Sequence, residues 1–325
     1  MTTLDARLLA ALRASQVHLP ATDLAGQLAA PLVTIEARLA ELRGAGFEFD
    51  ERPGLGFRLL RSPDRLIADD LFARLGPCAL VREIIVFNET GSTNDYATQR
   101  GRQGAPGGLA VFAERQTAGR GRFGRTWESA SHCGLWFSLL LRPTVPIAIW
   151  PRLTTWAAAS LAGAIENSLG LSAAIKWPND IYLGHRKVAG ILAESGTDAN
   201  NQPFAVVGIG VNVNHELRDF PRELEDKAGS LRMATGRVID RPTLAAALLR
   251  EMDARLPQMS ADFPRIVAEV TRRSLLLGRW VQLRAGHTIL EGRAESLDAD
   301  GHLLLRKTDG SLSRLTAGEV TVIAD

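Results

Sequence analysis

Cysteine is scarce in this chain: two among 325 residues, Cys78 and Cys133. That excludes a disulfide framework, and the pair does not form C-x-x-C, so a reducing compartment is favoured. A strong charge of one sign is missing too, since 38 Lys and Arg stand against 36 Asp and Glu. No global field advertises nucleic acid or an anionic membrane, and any basic site must be local. The six histidines, His18, His132, His185, His215, His287 and His302, lack the i, i+4 spacing that sets two metal ligands on one helix face. Each is expected to be an ordinary surface or core histidine. Long apolar runs are also absent: Trp150 to Leu171, the most apolar long segment, contains Arg152 and Glu166 and reads as a core helix. The opening MTTLDARLLAALRAS mixes acid and arginine into its apolar pattern, unlike a signal peptide. Cytoplasmic residence, with no membrane partner, follows by elimination.

What is there falls into three zones, 1–62, 66–275 and 276–325. In the first, leucines and isoleucine recur at helical spacing three times, and FEFDERPGLGFRLL then reads as a hairpin around a Pro53-Gly54 turn. Three helices and a hairpin follow the winged helix-turn-helix plan, with Arg38 on the third helix as the DNA-binding candidate. A packing or dimerisation module is the alternative. Seven arginines are balanced by seven acids over residues 1–62, and phosphate contacts supply much of DNA affinity. After the linker RSPDR, REIIVF, LAVFAERQ and GLWFSLLL read as strands. The segments AAIKWPNDIYL, KVAGILAES and FAVVGIGVNVN supply three more, and short connections favour antiparallel hairpins. The fold class expected is α+β with a mixed central sheet. WVQLRA, ILEGRAESL and HLLLRK predict a small terminal β barrel, read as a stabilising cap.

Chemistry concentrates in the polar segments between these strands. Gly119, Gly121 and Gly124 in GRGRFGRTW spell the dinucleotide pattern G-x-G-x-x-G, but a strand follows instead of a helix and no ribose-binding acid lies about twenty residues on. Glycines alternating with Arg120, Arg122 and Arg125 suggest instead a flexible loop that wraps a polyanion. In KWPND, Lys176 to Asp180, Asn179 and Asp180 sit at the entry to a strand, as turn chemistry or as a site. Lys187 opens a strand, either guarding its edge or aimed into a pocket. GSTN, Gly91 to Asn94, caps a helix, and Asn212 and Asn214 share one strand face that can line a polar pocket.

Taken in order and at these separations, ETGSTN, ERQTAGRGRFGRTW, KWPNDIY, RKVAGILAE and GIGVNVN resemble the motif series of biotin protein ligases. The terminal zones are similar to the longer bacterial form that doubles as a biotin operon repressor. The resemblance implies a class II synthetase-like central domain and an SH3-like terminal barrel. It implies an ATP- and Mg2+-dependent reaction giving biotinyl-AMP and pyrophosphate, then biotin transfer to a lysine of a biotin carboxyl carrier protein. By the same resemblance Ser92, Thr93, Asn94, Gln116, Arg120, Gly121, Arg122 and Lys187 match biotin contacts. Arg122, Arg125, Trp127, Lys176, Asn179 and Asn212 match the nucleotide side. Lys187, Arg122 and Asp180 are the expected catalytic residues, Asp180 with Mg2+ or the acceptor amine. Operator DNA and a homodimer in the adenylate-bound state complete the expected partners. Two departures are visible: Phe123 replaces a basic residue common in this loop, and the third helix carries Glu36 and Glu41. A lipoyl or octanoyl ligase or transferase is the competing enzyme; an octanoyl transferase needs a cysteine nucleophile, and Cys133 lacks the partner motif. A ligand-sensing DNA regulator with an inert centre is the competitor from another class.

Overall fold

The computed structural model describes residues 3–285 and 288–324, so His287 and its reading as an isolated histidine lie outside the described residues. Three helices open the chain, α1 (Leu4–Ala14), α2 (Ala21–Leu28) and α3 (Leu32–Gly44), each begun by a capping Thr3 or by a proline at 20 or 31. Their leucine faces converge with Ile35 and Phe47 on a core of their own. The hairpin β1 (Glu48–Arg52) and β2 (Gly56–Arg61) closes the unit. Gly56 is required there: its φ is +97° and a side chain would collide with the Leu19 backbone. Arg38 is partly exposed. Its guanidinium is held by Asp5 of α1 and by Glu41, so it braces the third helix against the first and would have to give up these partners to contact phosphate.

Next come α4 (Ala68–Leu75), β3 (Glu83–Thr90), α5 (Thr93–Arg102), β4 (Leu109–Gln116), β5 (Gly134–Leu141) and α6 (Arg152–Leu169). The strands β6 (Ala174–Lys176), β7 (Asp180–Leu183), β8 (Arg186–Thr197) and β9 (Pro203–Asn212) complete a seven-stranded sheet of order β3-β4-β5-β9-β8-β7-β6. AAIKWPNDIYL is therefore two strands, because Pro178 and the turn around it break the ladder. β3 and β4 pair in parallel with α5 as the crossover, the exception to the expected hairpins; every other pairing in this sheet is antiparallel. Four helices that the sequence pattern does not single out follow: α7 (Leu231–Thr235), α8 (Arg241–Arg255), α9 (Gln258–Ala261) and α10 (Phe263–Arg272).

Period-two alternation sends the two sheet faces to different fates. Phe137, Leu139, Val207 and Ile209 pack in the main core with α4, α6, α8 and α10. On the other face Leu140, Phe204 and Val206 pack with Ala97 of α5, and Gly101 lets the helix approach the Phe204 ring. This helix covers only part of that face.

The last unit is a five-stranded antiparallel sheet of order β13-β12-β11-β10-β14, made of β10 (Trp280–Ala285), β11 (Thr288–Leu297), β12 (Leu303–Arg306), β13 (Leu312–Leu315) and β14 (Glu319–Ala324). Two of its strands, β13 and β14, are additional to the three runs read from the sequence. Trp177 from the β6–β7 turn is buried in its core and donates from Nε1 to the Gly301 carbonyl at 2.9 Å. Asp298, Asp300 and His302 come together in the β11–β12 turn, a grouping the histidine spacing did not predict. Asp298 Oδ1 there accepts from the amides of Asp300 and His302, and Arg314 and Arg152 take the remaining carboxylate oxygens, so the group serves the turn. Among the described residues no helix is long and apolar enough to cross a membrane.

One buried charge ties these parts together. Arg241, at the start of α8 and fully buried, donates to Glu114 Oε2 of β4 at 2.6 Å, to the Gly134 carbonyl at 3.1 Å and to the Asp64 carbonyl at 2.8 Å. Glu114, also buried, accepts from the Leu66 amide at 2.8 Å, so the linker is clamped to the sheet. Removing one partner of such a pair strands the other charge out of water. Arg241→Ala is expected to cost about 3 kcal/mol or more in denaturant unfolding; a loss below about 1 kcal/mol means the clamp is not a stabilising element.

Candidate active site

The part of the sheet face that α5 leaves bare is floored by Gly190 of β8 and by Gly208 and Gly210 of β9. No side chain rises from these positions, so a cleft forms between the sheet, the first turn of α5, the segment 119–127 and the terminal β unit. At one end Ser92 caps α5, its Oγ accepting from the Asp95 amide. Gln116 Oε1 accepts from the amide and hydroxyl of Thr93 at 2.8 and 3.1 Å. Ser138, buried on β5, donates to Asn94 Oδ1 at 2.6 Å and lies 2.7 Å from Thr93 Oγ1. A side chain at Gly208 would collide with Asn94 Oδ1, so this glycine makes room for the polar cluster. Ser92, Thr93, Asn94 and Gln116 are thus brought together as expected.

The glycine-arginine segment is a hairpin, more ordered than its composition suggests. Arg120 and Thr126 bridge across it, and the tip at Arg122–Gly124 turns through positive φ at Phe123 (+58°) and Gly124 (+72°). Phe123 is exposed, under the Arg122 guanidinium at 4.9 Å. Trp127 lies on the glycine floor: a Cβ at Gly210 would stand 2.7 Å from its ring and one at Gly190 2.8 Å. Its indole N–H is buried and has no partner, and Trp136 meets it edge-on at 6.2 Å. Arg122 donates to Asn179 Oδ1 at 3.2 Å, and Arg125 pairs with Glu319 of β14. Gly318, Glu319 and Val320 line the cleft, so the terminal unit helps build the site; the reading of it as a cap alone is corrected.

Lys187 reaches the cleft through a strand irregularity. Ile181 pairs with Ala189 but Tyr182 pairs with Lys187, so Val188 is an extra residue. Val188 and Ala189 both face the core, and Lys187 is turned to the same side as Gly190. β8 lies between β7 and β9, so this lysine is no edge guard. Its backbone is fixed by the Lys227 carbonyl and the Gly229 amide at 2.8 and 2.9 Å. Its Nζ lies 2.7 Å from Asp180 Oδ1, an ion pair outside hydrogen-bond angles, and 5.3 Å from the Trp127 ring.

Burial lowers the pKa of Lys176 and of Arg122; Asp180 opposes it in both, with Glu319 also opposing. Among the described residues neither cation has a carboxylate within ion-pair distance, so both are partly desolvated and only partly offset by Asp180 and Glu319 at longer range. The cleft is prepared for an anion. Asn212 is outside it: the amide donates to the Gly229 carbonyl at 3.0 Å, beneath the segment that fixes Lys187. Asn214 is occupied by Ile239, its amide donating to the carbonyl and its oxygen accepting from the N–H. Glu194 of β8, the last residue of RKVAGILAE and given no role by the sequence, holds Arg120 and Asn94.

Comparison with known proteins decides the family. A model described as "Biotin/lipoate A/B protein ligase family" matches residues 86–214, and "Biotin protein ligase C terminal domain" matches 276–322. The bifunctional ligase/repressor BirA of Bacillus subtilis is 34% identical over 273 residues, 84% of each chain. The chain belongs to the biotin protein ligase family. BirA of Escherichia coli is 28% identical to this ligase over 322 residues, 98% of this chain and 97% of its own. The solved biotin protein ligase from Aquifex aeolicus in complex with biotin and ATP superposes with a TM-score of 0.65 at 30% identity. It covers 75% of this chain and 100% of its own. The biotin-specific terminal match and these relatives favour a biotin enzyme over the lipoyl or octanoyl alternative. In this ligase Gly210→Ala is expected to push Trp127 off the floor and raise the KM for ATP about tenfold or more, with the fold kept. Steady-state pyrophosphate release and near-ultraviolet circular dichroism measure the two; an unchanged KM removes the floor from the binding site.

Proposed function

We propose that the cleft activates biotin as an acyl-adenylate and hands it to a protein lysine. The observation that carries this is the pair of half-buried cations, Arg122 and Lys176, without a carboxylate at ion-pair distance among the described residues, beside Lys187 on a glycine floor. A biotin carboxylate oxygen attacks the α-phosphorus of ATP; the new O–P bond forms as the bond to the β-phosphate oxygen breaks, and pyrophosphate leaves. The lysine amine of a biotin carboxyl carrier protein then attacks the acyl carbon, AMP leaves, and the amine loses its proton. No enzyme nucleophile is needed. Lys187, Arg122 and Lys176 stabilise the charge that develops at phosphorus and on departing AMP. Ser92, Thr93, Asn94 and Gln116 bind the polar ring of biotin, with Gly121 and Arg120 in the covering hairpin. Trp127, Arg125 and Asn179 border the nucleotide, and Asn212 acts through the segment that fixes Lys187. The Asp180 carboxylate, whose Oδ1 lies 2.7 Å from the Lys187 ammonium, would hold Mg2+ in exchange for that ion pair, since the ion is commonly held by one carboxylate plus substrate phosphates. When bound, the ion neutralises phosphate charge.

The finer architecture goes with this reading: a winged helix-turn-helix in residues 1–62, a class II synthetase-like catalytic unit in 66–275 and an SH3-like barrel in 276–325, in a cytoplasmic protein. Operator binding and a role as a biotin operon repressor are supported by the helix-hairpin unit and by the BirA relatives, which bear ligase/repressor names. With Arg38 held by Asp5, operator contact falls to other residues of α3 and the hairpin, doubled in a homodimer.

Pyrophosphate release is expected with biotin and not with lipoate, followed by label transfer to a carrier domain. Lys187→Gln should lower its kcat about a hundredfold; release with lipoate alone sinks the reading. Sedimentation should show a dimer with biotin plus MgATP, and an unchanged monomer removes the dimer proposal.

A further inference from the structure

Glu194 sits on the cleft side of β8 between two parts of the site, the base of the hairpin and the first turn of α5. Its Oε1 and Oε2 accept from Arg120 Nη1 and Nη2 at 2.9 and 2.8 Å, and Oε2 also accepts from Asn94 Nδ2 at 2.8 Å. One side chain thereby ties the base of the hairpin to the first turn of α5. Arg120 also meets Asp95 at 2.7 Å, but Asp95 is exposed, and open ion pairs contribute little. Burial alone pushes the Glu194 carboxyl up; hydrogen bonds from Arg120 and Asn94 outweigh it and hold the group ionised. The bidentate fork fixes orientation as well as charge. The three loop arginines therefore divide their work: Arg125 is engaged with Glu319, Arg122 has no carboxylate at ion-pair distance among the described residues, and Arg120 is consumed inside the protein.

We propose that Glu194 is a positioning residue whose pair with Arg120 latches the hairpin to α5 and sets how long the acyl-adenylate is retained. The proposal rests on the adenylate reading above. An acyl-adenylate hydrolyses once water reaches it, so retention depends on how firmly the hairpin stays down. Glu194 touches neither reacting centre; it acts through Arg120, which carries Gly121 and Arg122 behind it.

Glu194→Gln removes the charge and half of the fork. With its amide oxygen at the Oε2 position it still accepts from Asn94 and from Arg120 Nη2, while its N–H2 is turned against Arg120 Nη1. In the full chain with biotin, MgATP and pyrophosphatase, the dissociation rate of biotinyl-AMP is followed by tryptophan fluorescence, and stray labelling of serum albumin lysines is counted. Dissociation is expected to rise about tenfold, albumin labelling to rise with it, and the unfolding midpoint to move by less than about 2 °C. Glu194→Asp should recover most of the retention. In an Arg120→Gln background, Glu194→Gln should add less than about twofold, as expected for residues acting as one unit. Should Glu194→Gln fail to fold, Arg120→Gln reads the same latch from the loop side, with the same expected rise. Unchanged dissociation in these variants, or independent multiplying effects in the double variant, overturns the latch. If the parent protein releases no pyrophosphate with biotin, the adenylate reading falls and takes the latch with it.

Discussion

The catalytic half of this molecule depends on one constraint, that part of one sheet face must stay bare. Gly190, Gly208 and Gly210 project nothing from that face, while the same strands send Ile191, Val207 and Ile209 into the core on the other. Strand interiors lose stability at glycine, so three of them close together are costly unless something else fills the space. Here Trp127 and Asn94 fill part of it, and the remainder is the cleft. Burial of cations follows from the same geometry, because Arg122 and Lys176 reach inward over a surface that gives them little polar company.

A second constraint is continuity between units. Arg241 joins the linker at Asp64, the strand carrying Gln116 and the start of β5 through buried charge. Trp177 joins the β6–β7 turn to the terminal sheet, and Arg125 joins the hairpin to Glu319. Residues from 92 to 320 therefore meet at one place. A pair such as Arg241 and Glu114 is poor evidence of net stabilisation, yet it fixes register strongly, since neither charge can be left alone.

Much of this was legible in the sequence for physical reasons. Short continuous apolar runs buried on both faces, such as LAVFAERQ and GLWFSLLL, and helices with capping residues declare themselves through composition and punctuation. The clustering of Ser92, Thr93, Asn94, Gln116, Arg122, Asp180 and Lys187 was carried by motif order, which local periodicity cannot supply. Other features were hidden because they depend on partners distant in the chain. Glu194 looks like any polar strand residue until Arg120, 74 positions earlier, is folded against it. Arg38 looks available until Asp5 is placed opposite, and Asn212 looks like a pocket residue until Gly229 takes its amide. The short β13 and the terminal run EVTVIA of β14 were not read as strands, and with them the contribution of Glu319 was missed.

The extra residue at Val188 carries a wider implication. Side chains on a strand alternate strictly, so a regular ladder running through Val188 would direct the Lys187 ammonium into the apolar interior. The irregularity is thus a reading-frame device written into backbone geometry: it converts an odd offset into an even one. Idealising β8 into a uniform ladder would yield a tidier sheet with the chemistry facing the wrong way. Regularity and usefulness are opposed at that single peptide.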